Sequence, residues 1–375
     1  MITVKPVRSS RELGQFIRLP WRIYRTDPHW VPPLILEQRR RLAPLVSSGD
    51  EGLHGMFLAE DRGRAVGRLA VLWDPAVNQA KGSTTGYFSL FECIDDLEVA
   101  GRLFEAAAAW LARRGLNLLR GPVSPGRPHE DESKGLLVDG FDRPPVFMTS
   151  YNPPYYQRLL ERLGFRKDFD VYAYRIDKDR VLAKHPANVV AYAARRYGFH
   201  LENVDLNREE REIQDMKRVL DQAVPQQWPD LIPPSLEEVR ALAIRFRQVA
   251  DPDFVVFARA DGEPVGFVAA LPDYNQILIH LNGRLTPLAW LKYFYYRRRL
   301  TCLRVFVLFV VPAFRRKGVS HALYQHLFER AVAKGYTHAE GSTIGEGNVE
   351  MRRDIEAIAG QRDKTYRIYR KALGS

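Results

Sequence analysis

Cysteine is almost missing from this chain. Cys93 and Cys302 are the only two in 375 residues, too few for a disulfide framework or a cysteine-rich zinc site. A reducing cytoplasm is therefore the expected setting. Long apolar runs are missing as well. The most apolar stretch, Val305 to Pro312, falls far short of the roughly 20 residues a membrane helix needs, and basic residues bound it at Arg304 and Arg315. The first residues, MITVKPV, lack a basic segment leading into an apolar one, so no signal peptide is expected. Acid is in deficit: 45 Asp and Glu face 56 Lys and Arg, for a formal charge of +11. That imbalance implies an anionic partner, and nucleic acid, a phosphorylated cofactor and an acidic membrane all fit it. With 46% hydrophobic residues the chain can build sizeable cores, which excludes disorder as its main state, and its length favours two or three domains.

The sequence repeats itself at long range. FLAEDRGRAVGRLA (57–70) and VFARADGEPVGFVA (256–269) both read as a strand, a glycine turn and a second strand, with Gly67 and Gly266 lying 199 residues apart. Arg11-Glu12-Leu13 and Arg211-Glu212-Ile213 open helical stretches at nearly the same offset. Asn152 precedes Gly164 by 12 residues, as Asn348 precedes Gly360. Amphipathic helices are expected over Glu98–Gly115 and Ser320–Gly335. The constant order and offset indicate a tandem duplication. Each half reads strand, helix, hairpin, strand, helix, strand, helix, strand, an α/β pattern with a mixed sheet. The expected domains are 1–177 and 198–375, joined by a basic helical linker over 178–197. Two insertions break the symmetry: a Pro/Gly-rich loop from Gly121 to Pro145, and Asn282 to Leu303 with the basic aromatic run WLKYFYYRRRL.

A phosphate-binding candidate occurs in the second half. The strand ending near Pro312 feeds the short loop AFRRKGVS, which opens the helix HALYQHLFERAVAK. Free N–H groups and the dipole at a helix start favour an anion, Arg315, Arg316 and Lys317 add charge, and Gly318 permits close backbone approach. A solvated basic turn with Ser320 as N-cap is the plainer alternative.

The segment VVPAFRRKGVSHALYQHLFERAVAKG resembles the acyl-CoA-binding motif of the GNAT superfamily of N-acyltransferases, V-x-P-x-x-[RQ]-x-x-G-x-[GA] followed by a helix. Val310, Pro312, Arg315 or Arg316, and Gly318 fall on its positions, and Ser320 replaces the last small residue. The resemblance implies two tandem GNAT-like domains, each a mixed twisted sheet flanked by helices. It implies acyl-CoA, acetyl or longer-chain, as co-substrate, with no metal. The backbone of Val310 and Val311 would pair with the pantetheine arm. The amides of Arg316, Lys317, Gly318, Val319 and Ser320 would hold the pyrophosphate, Arg315 or another basic residue would meet the 3′-phosphate, and Asn348 would be structural or orient the cofactor. In the first half the corresponding strand, GYFSLFE, runs into Cys93-Ile94-Asp95-Asp96-Leu97-Glu98, where carboxylates repel a pyrophosphate. That half is expected to be a degenerate copy that shapes the substrate cleft.

Catalysis is harder to read. The family's acceptor amine attacks the thioester directly, so a base or desolvation must supply a neutral amine. The tyrosine that often follows the family's asparagine by seven residues is Ile355 here. Tyr366 and Tyr369 can replace it as acid only if their rings face the cleft. Glu340 and His338 share one face of the strand THAEGS and are the candidate bases, with Glu340 preferred. Glu92 occupies a similar site in the first half. The cluster HEDES, His129 to Ser133, lacks ligand spacing and reads as a solvated loop.

The leading expectation is an acyl-CoA-dependent N-acyltransferase acting on a small-molecule or lipid amine. The first forty residues and Tyr293–Arg299 mix aromatic and basic side chains, which suits a lipidic acyl group near an anionic membrane. Similar tandem proteins include long-chain acyltransferases such as bacterial ceramide synthases. Alternatives are a non-catalytic acyl-CoA-binding protein and a nucleic-acid binder, the latter disfavoured because no nucleic-acid motif is present. The expected place is the cytoplasm, with peripheral contact at the inner membrane face left open.

Overall fold

A computed structural model describes residues 1–47, 52–126, 133–184, 187–225, 228, 231–247 and 249–374. The strands in chain order are β1 (Ile2–Pro6), β2 (His54–Asp61), β3 (Arg64–Leu72), β4 (Thr85–Cys93), β5 (Leu118–Gly121), β6 (Leu136–Asp139) and β7 (Arg166–Asp177). They continue with β8 (Phe199–Asn203), β9 (Val255–Ala260), β10 (Glu263–Pro272), β11 (Cys302–Val310), β12 (His338–Gly345) and β13 (Gln361–Ala372). Both expected hairpins form, as β2–β3 and β9–β10, each turning at a glycine with φ near 80°.

The chain divides into two compact units that do not coincide with its sequence halves. Unit 1 comprises Met1–Val171, Tyr274–Arg298 and Lys364–Ser375; unit 2 comprises Tyr172–Asp273 and Arg299–Asp363. In unit 1 the strands run β1-β2-β3-β4-β5-β13, and β6 also pairs with β13. In unit 2 they run β8-β9-β10-β11-β12, with the Tyr172–Asp177 end of β7 beside β12. Each unit therefore takes its last strand largely from the other half of the sequence. Tyr369, Arg370, Lys371 and Ala372 of β13 pair antiparallel with the β5 residues Gly121 to Leu118. Within 178–197 lie two helices, Lys178–Lys184 and Ala187–Tyr197, and both belong to unit 2.

Each unit has its own core. In unit 1 the helix Leu97–Ala112 buries Val99, Leu103, Ala107, Trp110 and Leu111 against Phe57, Leu69, Val71 and Phe88 of the sheet. The spacing of these helix residues repeats every three or four positions, so one face meets the sheet. A second cluster, around Phe16, Ile17, Leu42 and Leu58, covers another part of the sheet. In unit 2 the helix Val319–Ala333 buries Val319, Ala322, Leu323 and Leu327 against Val256, Val268 and Val305. Leu323 and Val268 are fully removed from solvent. Burying such a side chain contributes roughly 1.5–3 kcal/mol, and truncating one costs about 2–5 kcal/mol. The expected loop from Gly121 to Pro145 contains the short strand β6, and the basic aromatic run forms a helix, Pro287–Arg297.

Candidate active site

The geometry that matters lies where β11 and β12 part. Their parallel pairing runs from Cys302↔His338 to Val305↔Gly341. Both strands continue, to Val310 and Gly345, without further pairing to each other. A register shift on the β10 side, between Ala269 and Ala270, kinks β11 at Phe306. The strands thus open as a wedge, and the β11 stretch beside it carries the half-buried Phe306, Val307, Leu308 and Phe309. Apolar side chains in the middle of a sheet are left partly uncovered there, and β11 and β12 do not pair with each other across the gap. Unit 1 treats the same junction differently. Its β4–β5 pairing ends at Tyr87↔Arg120, and then the Val123 N–H donates to the Phe88 carbonyl at 2.9 Å. The following chain stays against β4.

Beyond β11 the chain makes a short turn, Pro312–Phe314, and enters the helix Val319–Ala333. Arg316 and Gly318 both take left-handed conformations, with φ of 58° and 79°. Gly318 is the N-cap residue, and no side chain caps this helix end. A Cβ on Gly318 would lie 3.0 Å from the Ala193 Cβ, so glycine meets both a conformational and a spatial demand. The first N–H groups of the helix have no partner within it and point out of its end. The corresponding helix of unit 1 is closed off by its own sequence. There the Asp96 carboxylate accepts from the N–H groups of Glu98 at 2.8 Å and Val99 at 3.3 Å.

The side chains of the basic loop are already engaged. The Arg315 guanidinium donates to the Val310 carbonyl at 3.2 Å and the Ala223 carbonyl at 2.9 Å, which fastens the loop to β11 and to the helix Glu209–Ala223. Arg316 pairs with Glu350 at 2.5 Å, on the surface. The Lys317 ammonium lies 4.7 Å from the Phe314 ring centre and 5.6 Å from that of Tyr197. The Ser320 hydroxyl donates to Asp354 at 2.7 Å, so it does not cap its own helix. Asn348 caps the helix Val349–Ala357 by accepting from the Met351 N–H at 3.3 Å, a structural task. Val310 and Val311 are buried, and the Val311 N–H donates to the Val265 carbonyl. Sequence reasoning missed Ala223, Ala193, Glu350 and Asp354, because long-range packing alone brings them to the loop.

Glu340 is buried on β12, one position before the strands part, and sits in register with the fully buried Arg304 of β11. The Arg304 guanidinium donates to Ser342 at 3.3 Å, two residues further along the Glu340 face. A guanidinium in low dielectric requires an anionic counterpart, and this face supplies a carboxylate. His338, two residues earlier, accepts or donates at Nδ1 with the Thr337 hydroxyl at 2.9 Å. Burial, reinforced by the Arg175 charge, pushes its imidazole down to about 4, so it is neutral at pH 7. Tyr366 belongs to unit 1, where its ring is fully buried on β13, and Tyr369 lies in the unit 1 core with its hydroxyl on Glu161 at 3.2 Å. Glu92, also in unit 1, is held by the hydroxyls of Tyr24 and Tyr156 at 2.9 and 2.8 Å and by Arg68 at 3.5 Å. Burial raises its pKa despite Arg68. His129 to Glu132 of the HEDES cluster lie outside the described residues. Among the described residues no three His, Cys, Asp or Glu side chains group as metal ligands.

Comparison with known proteins bears on this geometry. The Acetyltransferase (GNAT) family matches residues 214–353, a span that contains the wedge, the loop and its helix. The Bacterial ceramide synthase of Caulobacter vibrioides (strain NA1000 / CB15N) is 32% identical over 386 residues, covering 99% of this chain and 98% of its own. This chain belongs to the GNAT family. Protein YghO of Escherichia coli (strain K12) is 27% identical to this GNAT protein over 377 residues, covering 99% of it and 95% of YghO. Among solved structures, a tandem GNAT protein from the clavulanic acid biosynthesis pathway superposes with a TM-score of 0.57 at 13% identity, over 100% of this chain and 99% of its own. The fold expected from the sequence is therefore the fold observed: a tandem GNAT architecture of mixed sheets flanked by helices. Acyl transfer is the activity class of the family. No helix among the described residues is long and apolar enough to cross a membrane.

Proposed function

We propose that this GNAT protein transfers an acyl group from acyl-CoA to an amine, with the thioester in the β11–β12 wedge of unit 2. The observation that carries the reading is the contrast between two helix starts. One is uncapped at Gly318, and the other is filled by Asp96. A pyrophosphate fits the first, on the N–H groups of Arg316 to Ser320 with Lys317 beside them, and is repelled by the second. Arg315 holds the loop in place rather than meeting phosphate.

In the proposed step the amine nitrogen attacks the thioester carbonyl, a C–N bond forms and the C–S bond breaks. The nitrogen gives up a proton and the departing thiolate gains one. Glu340 is the proposed base, because it lies at the apex of the wedge. His338 is a weaker candidate with so low a pKa, and Tyr366 is assigned to packing. The test is release of free CoA thiol from acyl-CoA with a panel of amines. Glu340→Gln should lower kcat by roughly 10²–10⁴-fold with KM for acyl-CoA unchanged. Full activity in that variant removes Glu340 from the mechanism. If no amine supports thiol release from the wild-type protein, the reading becomes a non-catalytic acyl-CoA-binding protein.

A long-chain acyl group and a lipid amine form a second reading. It draws support from the half-buried apolar run Phe306–Phe309. Mass spectrometry of CoA thioesters retained through purification reads the chain length: C12 or longer supports this reading, and acetyl alone refutes it.

A further inference from the structure

The helix Pro287–Arg297 in unit 1 is turned inside out. Its inward stripe is small: Ala289 is buried, and Tyr293 and Tyr296 are half-buried, with Tyr296 stacked on His280 at 3.9 Å between ring centres. The opposite face carries Leu288, Trp290, Leu291, Phe294 and Tyr295, each between 52% and 68% exposed. Leu285, just before the helix, is exposed as well. A soluble surface normally scatters such side chains singly, and a contiguous group of this kind marks a docking surface.

The surrounding charge indicates what docks there. Lys292 and Arg297 flank the apolar face on the same helix, the Lys292 ammonium donating to the His280 carbonyl at 3.0 Å, and Arg284 and Arg298 lie at its two ends. From Tyr274 to Phe328 the sequence contains no Asp or Glu, so no acid in this segment offsets the cations. Apolar and aromatic side chains flanked by cations, without acids, match the boundary of an anionic bilayer, where rings sit at headgroup depth and Lys and Arg meet phosphates. A protein partner of ordinary composition offers no reason for so long a segment without an acid. The helix is also anchored from behind. Trp21 donates to Asn282 at 2.9 Å, and Asn275 donates to the Pro145 carbonyl at 2.8 Å, which ties the preceding helix, Asn275–Leu281, to the body of unit 1.

We propose that the exposed face of Pro287–Arg297 is a docking surface for anionic phospholipid bilayers, a peripheral attachment that does not depend on the acyltransferase reading. The test is sedimentation of the full-length protein with vesicles of phosphatidylethanolamine and phosphatidylglycerol, beside vesicles of phosphatidylcholine alone. Analytical ultracentrifugation without lipid follows the oligomeric state. The proposal expects binding to the anionic vesicles, weakened by salt, and little binding to phosphatidylcholine. It expects roughly a tenfold or greater loss of binding in the variant Trp290→Glu, Leu291→Glu, Phe294→Glu, whose exposed positions leave the fold unchanged by circular dichroism. Lys292→Glu with Arg297→Glu should weaken binding and flatten its salt dependence. Failure of the wild-type protein to bind anionic vesicles overturns the proposal, as does undiminished binding by the triple variant. A wild-type dimer that the triple variant converts to monomer, with no vesicle binding by either, assigns the face to a second copy instead.

Discussion

Replacing Gly318 by glutamate acts on the loop in two separable ways. The backbone there sits at φ 79°, where a side chain costs about 1–2 kcal/mol, and the new Cβ would lie 3.0 Å from Ala193. That strain falls on folding stability, of which a domain typically has about 5–15 kcal/mol, so the variant remains folded. The second effect is charge. A carboxylate about 5 Å from a bound pyrophosphate costs roughly 3 kcal/mol at an effective dielectric constant of 20, or about a hundredfold in affinity. Gly318→Ala carries the strain without the charge and should weaken CoA binding by less than about tenfold. Ala193→Gly added to it removes the close contact and should recover part of that loss. Calorimetric titration with CoA measures affinity in all three variants, and thermal melts report the strain separately. Gly318→Glu binding CoA as tightly as Gly318→Ala would refute the reasoning, because the anion would then lie elsewhere.

Three further outcomes follow from the packing. Arg259, buried in unit 2, is paired with Glu202, Glu212 and Asp215. Arg259→Leu takes the guanidinium from the buried Glu212 and leaves Asp215 to Arg211 and Arg218, so it should cost about 3 kcal/mol in urea unfolding; a loss below about 1 kcal/mol contradicts the assignment. His338 titrates near 6.5 when unfolded and at about 4 when folded, so the unfolded chain binds the extra proton between those values. Stability should therefore decline as pH falls from about 6.5 to about 4, and His338→Gln should flatten that slope in melts across the range. Cys93 and Cys302 are both buried, and burial pushes the Cys93 thiol far up, so a disulfide reagent should titrate neither until the protein is denatured. Rapid labelling of the native protein would show that one of these sites opens.

Local features of the fold were legible in the sequence, and long-range ones were not. The alternation in 57–70 and 256–269 located both hairpins, and the apolar periodicity after Gly318 located the helix that ends at Ala333. Period and turn chemistry act within a few residues, so they survive in the sequence. The destination of β13 does not. Its residues Tyr366, Ile368 and Tyr369 are all buried, which fits a strand in either unit, and pairing with β5 is decided by contacts more than 240 residues apart in sequence. The loop basicity was visible too, but what each cation does was not: Arg315 reads as a phosphate ligand by its motif position, and its donors are turned instead to the carbonyls of Val310 and Ala223. The three acids after Cys93 were visible in the first half, and the structure shows what one of them does, since Asp96 occupies the helix start itself.

Amide hydrogen exchange with and without CoA tests the central claim most directly. The account predicts that CoA slows exchange of the amides from Arg316 to Ser320 in unit 2 and leaves those from Ile94 to Val99 in unit 1 unchanged. Protection at Ile94–Val99, or none at Arg316–Ser320 under saturating CoA, would contradict it.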